Sequence, residues 1–198
     1  MPAKKGSREL TDKSSNSKEG VTTLVCINVA SKAMPPFCVL KGKTVRSVQT
    51  ISTHIAPPDT VWLIRKTQGC AMNLGLNGPN KIFLKHCGPE RPQLFILDSH
   101  ESHEVLELLE SSRQNSIHVL TRPSHTTHIL QPLDRVVFSP LKHSYQRSCT
   151  EYMSEDTSRT INKVSWPPLL RKAWEETMRE ELLKKAFEAT GIVPLNKY

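Results

Sequence analysis

Asp98 and Asp134 are the residues best suited to do chemistry. Asp98 closes the apolar run Gln93-Leu-Phe-Ile-Leu, and Asp134 stands just before a stretch with helical spacing. Carboxylates brought together at strand and helix ends suit Mg²⁺ or Mn²⁺, hard cations that prefer oxygen ligands. Such a pair can serve phosphoryl transfer, one ion activating the attacking hydroxyl while a second stabilises the leaving oxygen. On spacing alone, a turn aspartate and a helix-end aspartate are an open alternative. His100, His103, His125, His128 and Gln131 lie between or beside the two acids. The HxxH pairs at 100/103 and 125/128 offer zinc ligands together with Asp98, but no cysteine stands at ligand spacing. Imidazoles that hydrogen-bond the metal carboxylates or contact phosphates are the more economical reading. Lys41-Gly-Lys-Thr lacks the upstream glycine of a nucleotide-binding loop.

These residues need an α/β scaffold. Val21 to Val29 reads as a strand, Met34-Pro-Pro as the turn after it, and Phe37 to Leu40 as the second arm of a hairpin. Val61 to Ile64 is a further strand. Glycines and Pro79 within 67–80 argue against an uninterrupted helix there. Gln93–Leu97 has the pattern of a buried strand, and Val105, Leu108 and Leu109 have the i, i+3, i+4 spacing of a helix capped by Ser99 or Ser102. Ile117 to Leu120 completes a strand–helix–strand unit with parallel strands, which places Asp98 at the mouth of a parallel sheet. Three helices follow. The first runs over about 140–153, with Ser139-Pro140 as its start and Leu141, Tyr145, Cys149, Tyr152 and Met153 as its stripe. The second begins at Trp166-Pro-Pro, with Leu170, Ala173, Trp174 and Thr177 inward. The third carries Leu183, Ala186 and Phe187 and ends by Gly191 and Pro194. Trp62, Trp166 and Trp174 read as core residues.

The 198 residues fit one domain, 20–198, behind a flexible basic lead-in at 1–19. Apolar stretches fall well short of the run of about 20 that a spanning helix needs, and the basic start has no apolar segment behind it. Neither a membrane span nor a secretory signal is expected, so the protein is placed inside the cell. Its five cysteines, odd in number and without a CxxC pair, read as reduced thiols. The net charge of +8 is uneven: by count it is +6 over residues 1–50, −3 over 100–134 and +3 over 135–198. That surplus points to an anionic partner. In the acidic stretch, Glu101, Glu104, Glu107 and Glu110 recur as a solvated helix stripe.

The literal strings are more specific. Leu97-Asp-Ser-His-Glu-Ser-His103 and Pro123-Ser-His-Thr-Thr-His-Ile-Leu-Gln-Pro-Leu-Asp134 resemble the pogo/Tigger branch of the DDE transposases, whose pattern reads roughly LDxHxSH … PPHTTHxLQPLD. The likeness extends upstream to Asn28-Val-Ala and Pro35-Pro36, and downstream through Phe138-Ser-Pro-Leu-Lys142 to Ala186-Phe-Glu-Ala-Thr-Gly-Ile-Val-Pro-Leu-Asn196. Ser99, Arg122 and the glycine-rich 69–80 depart from the family pattern.

The resemblance implies a ribonuclease-H-like mixed sheet flanked by helices, and a carboxylate triad that binds two divalent metals for DNA cleavage. It makes Asp98 the second triad carboxylate and Asp134 the third. The first has no match here, nor has the family's first strand. The expected protein is therefore a nuclear, transposase-derived domain that binds DNA without marked sequence preference. It would hold Mg²⁺ or Mn²⁺ weakly, would be catalytically defective alone, and could dimerise. Two alternatives stay open: a fragment of an active metal-dependent endonuclease, and a domesticated nuclear interaction module. Absence of the central strand also predicts a destabilised sheet, with the 21–40 hairpin loosely held or paired against 93–98.

Overall fold

The computed structural model describes residues 21–41, 51–65, 79–97, 105–121 and 127–196. The chain divides into two compact units: Met1–Lys66 with His128–Tyr198, and Thr67–Thr127. Among the described residues the architecture is mixed α/β with two small sheets.

In the first unit, β1 (Val21–Leu24) pairs antiparallel with β2 (Phe37–Lys41), with Leu24 opposite Phe37, and β2 pairs parallel with β3 (Val61–Arg65). The order β1-β2-β3 leaves β1 at an edge. The hairpin is present, but its reversal comes earlier than the prolines. Ser31 takes φ 59°, the Asn28 side chain accepts from the Lys32 amide at 2.9 Å, and Ile27 bridges to Ala33. Asparagine closes such turns by mimicking a backbone acceptor, so Pro35 and Pro36 lie on the return path.

Helix α4 (Phe138–Ser154) and helix α5 (Trp166–Thr177) form the main core of this unit. Cys38, Leu141, Tyr145, Cys149, Trp166, Leu169, Leu170 and Ala173 are buried in one cluster. The predicted stripe on α4 is thus the buried one, with Tyr152 and Met153 at its half-buried edge. The start of α4 differs from expectation. A π-helical turn, Leu133–Val137, runs directly into it, so Ser139 is no cap and Pro140 sits in the first turn. At α5 the two prolines occupy the first positions, where a missing N–H costs nothing. The Asn162 carboxamide receives the Val164 amide at 2.8 Å and the Ser165 amide at 3.1 Å, which fixes the entry. Trp166 and Trp174 are buried as expected, whereas Trp62 is half-buried and meets Trp166 edge-on, centroids 5.9 Å apart at 77°. Leu170 is fully buried, and Leu170→Ala should cost about 2–5 kcal/mol. Denaturant unfolding of the full chain measures it.

Burial pushes the Cys38 thiol up to about 12, which makes it an inert packing group. Among the described residues Cys26, Cys38, Cys87 and Cys149 form no disulfide. Glu176 on α5 accepts the Ser144 hydroxyl from α4 and pairs with Arg147 at 2.5 Å. The hydroxyl chiefly, then the charges of Arg147, Lys172 and Arg179, holds its carboxyl below the usual range. A lowered folded-state pKa gives stability that is present above the unfolded carboxylate value and lost as pH falls through the folded one. Ser144→Ala should therefore remove on the order of 1 kcal/mol near neutral pH and flatten the acid limb of a stability–pH curve.

Helix α6 (Glu180–Ala189) buries Leu183, Ala186 and Phe187, the residues expected. It stops because Gly191 adopts φ +66°, and a Cβ there would come within 2.9 Å of the Asn196 carbonyl oxygen.

The second unit holds α1 (Pro79–His86), β4 (Gln93–Leu97), α2 (Val105–Gln114) and β5 (Ile117–Thr121). β4 and β5 are parallel, with Gln93 opposite Ile117 and Leu97 opposite Thr121, so the expected strand–helix–strand unit is present. Its entrance is tied down by Arg91, whose guanidinium donates to the carbonyls of Asn115 at 2.8 Å and Gly88 at 2.7 Å. Strand β4 is only half-buried, with Leu94 61% exposed, because one face of this two-stranded sheet is open within the unit. Helix α1 is an addition to the sequence reading: Pro79 opens it, and Phe83 stacks on Phe95 of β4, centroids 4.4 Å apart. The expected caps Ser99 and Ser102, with Glu101 and Glu104, lie outside the described residues; Glu110 is exposed as predicted.

Candidate metal centre

Asp134 sits in the π-helical turn Leu133–Val137 and is half-buried. The chain enters through the short helix α3 (Thr127–Leu130), Gln131 and Pro132. Pro132 has φ −52° and ψ −43°, already helical, so the turn starts without a break. The Arg135 amide bonds to the Gln131 carbonyl at 2.9 Å, and the Phe138 amide reaches back five residues to the Leu133 carbonyl. That last bond is the mark of a π turn. Leu133 packs on the cluster of Val137, Leu183 and Ala186, which anchors the turn to α6. Neither the turn nor this use of Leu133 was legible beforehand, because an apolar–Asp–basic–apolar string is equally compatible with an ordinary α-helix.

Gln131 is buried, 9% exposed, and its side-chain oxygen has no hydrogen-bond partner among the described residues. An orphaned buried carbonyl costs about 1–3 kcal/mol, and it is the type of hard oxygen that a divalent cation or its water accepts. The donor chemistry here thus fits such an ion: a half-buried carboxylate and, three residues before it, an unused amide oxygen. Of His128 the structure gives the backbone position within α3. Asp98, His100, His103 and His125 lie outside the described residues; Asp98 directly follows β4 in sequence. Among the described residues, no three His, Cys, Asp or Glu side chains come together as a metal site.

The family pattern of the DDE superfamily endonucleases matches residues 18–187, a span that contains both parallel strands and the π turn. The chain belongs to the DDE endonuclease superfamily. Two relatives are more distant. A protein from Cochliobolus lunatus named "MFS-type transporter clz9" is 29% identical over 181 residues, 90% of this chain and 19% of its own length. "ARS-binding protein 1" of Schizosaccharomyces pombe is 22% identical over 190 residues, 90% of this chain and 36% of its own length. The chain thus spans about a fifth and about a third of the curated relatives it matches. No solved structure matches it. None of the helices among the described residues is long and apolar enough to cross a membrane.

Proposed function

We propose that this chain is a DNA-binding DDE domain in which Asp98 and Asp134 serve as divalent-ion ligands and that it does not cleave DNA by itself. The observation that carries the reading is the superfamily match over 18–187, combined with the presentation of half-buried Asp134 on a π turn whose neighbour Leu133 packs against the core. Within the first unit, antiparallel β1–β2 and parallel β2–β3 make one mixed sheet, the type of pairing a ribonuclease-H-like fold uses. An Mg²⁺ or Mn²⁺ ion would supply a Lewis acid to the scissile phosphate. The residues present provide two carboxylates of the family's three, with His100, His103, His125, His128 and Gln131 as groups that orient those carboxylates or touch phosphate. The first carboxylate of the triad would come from another polypeptide or segment, which leaves the ion weakly held here.

DNA as partner, and with it the nucleus, is supported by the +8 charge and by the printed name of the fission-yeast relative. Lys184 and Lys185 are exposed on the first unit and suit phosphate contacts. The test is supercoiled plasmid incubated with the chain and Mn²⁺. Retardation without nicking is expected. Nicking that disappears in Asp98→Asn would overturn the defect and favour an active endonuclease.

A further inference from the structure

We infer that the π turn at Leu133–Val137 is the device that positions Asp134, by exchanging it with Leu133 at the edge of the core. The argument is one of helical phase. Buried Val137, Leu141, Ser144, Tyr145 and Ser148 mark one face of the helix that begins in this turn. In an uninterrupted α-helix, at about 100° per residue, Asp134 would lie within about 20° of Leu141, in the middle of that face. Its carboxylate would then be directed at the apolar cluster, where an unpaired charge is not tolerated. The structure avoids this. The bond from the Phe138 amide to the Leu133 carbonyl takes one extra residue into the turn, which rotates everything before it by about 100°. Leu133 thereby inherits the core-facing phase and packs against Val137, Leu183 and Ala186. Asp134 moves to the flank, half-buried. The same rotation lets α4 retain its full apolar stripe.

The role given to Asp134 rests on the metal reading above; the phase argument does not. Single-cysteine replacements in the full chain, Leu133→Cys and Asp134→Cys, are treated with N-ethylmaleimide under native conditions and read peptide by peptide, so that the five native thiols do not interfere. The π register predicts that the thiol at 134 reacts at least about tenfold faster than the thiol at 133. The reverse order would overturn the inference, whatever the chain does with metal. A second variant lacks Arg135, which is exposed. Removing one residue converts the turn to ordinary α-helix with Leu133 and Asp134 still in their present phases. It should keep its cooperative unfolding, and its Mn²⁺ affinity should stay within about threefold of wild type, whereas removing exposed Gln146 from mid-α4 throws the stripe out of phase and should unfold the unit. Equal damage from both deletions would overturn the register argument. Unchanged Mn²⁺ binding in Asp134→Asn, with the labelling order as expected, would instead reject the metal reading alone.

Discussion

Asn in place of Asp98 or Asp134 should each remove divalent-ion binding from this chain, weakening a Mn²⁺ titration by more than about a hundredfold. That exceeds the loss of about 10- to 100-fold typical of a group that only orients a ligand, which is the effect expected for Gln131→Ala or His128→Ala. The reasoning is coordinative. Under this proposal two carboxylates hold the ion, so either loss leaves a single oxygen ligand group, and hard cations of this kind gather several oxygens before they release water. Calorimetry on wild type and the four variants measures it, with thermal unfolding as the control that each remains folded. Wild type itself should bind loosely. Tight binding of two ions by the isolated chain would mean that a third acid is supplied from within these residues.

The second large effect concerns DNA. Binding should fall by about a thousandfold between 50 and 200 mM salt if about six phosphates are neutralised, because each contact releases condensed counterions. Sequence should matter little, since contacts to phosphate position a protein without reading bases. A filter-binding or anisotropy titration at several salt concentrations gives the slope. Affinity flat across that range, or a footprint on one sequence only, would contradict the electrostatic account and favour the interaction-module alternative.

The parts of this molecule that were legible in its sequence are those where periodicity and punctuation agree. Leu170, Ala173, Trp174 and Thr177 recur at helical spacing behind Trp166-Pro-Pro, and all four are buried on α5. Gly191 and Pro194 follow α6, and Gly191 takes the left-handed conformation that ends it. The parallel β4–β5 pair follows from two apolar runs separated by one helical pattern. What escaped notice had weaker local signals. Helix α1 is only eight residues long and begins at Pro79, next to glycines that mask its start. Proline is the louder turn signal, so Met34-Pro35-Pro36 reads as the hairpin reversal, whereas Asn28 and Ser31 make it. The π turn is invisible to pattern reading in principle. It arises from competition between Leu133 and Asp134 for one core position, and such a contest is decided by packing against α6.

The most direct test of the metal centre is a Mn²⁺ titration followed by amide NMR signals of the full chain. Paramagnetic broadening reports proximity to the ion without requiring activity. If one ion is shared by the two carboxylates, the amides of Leu97 and Ser99 beside Asp98 and of Leu133 and Arg135 beside Asp134 will broaden at the same ion concentration, and both sets will recover together in Asp134→Asn. Broadening confined to one set, or persistence of the Leu97 and Ser99 effect in Asp134→Asn, would contradict a shared site.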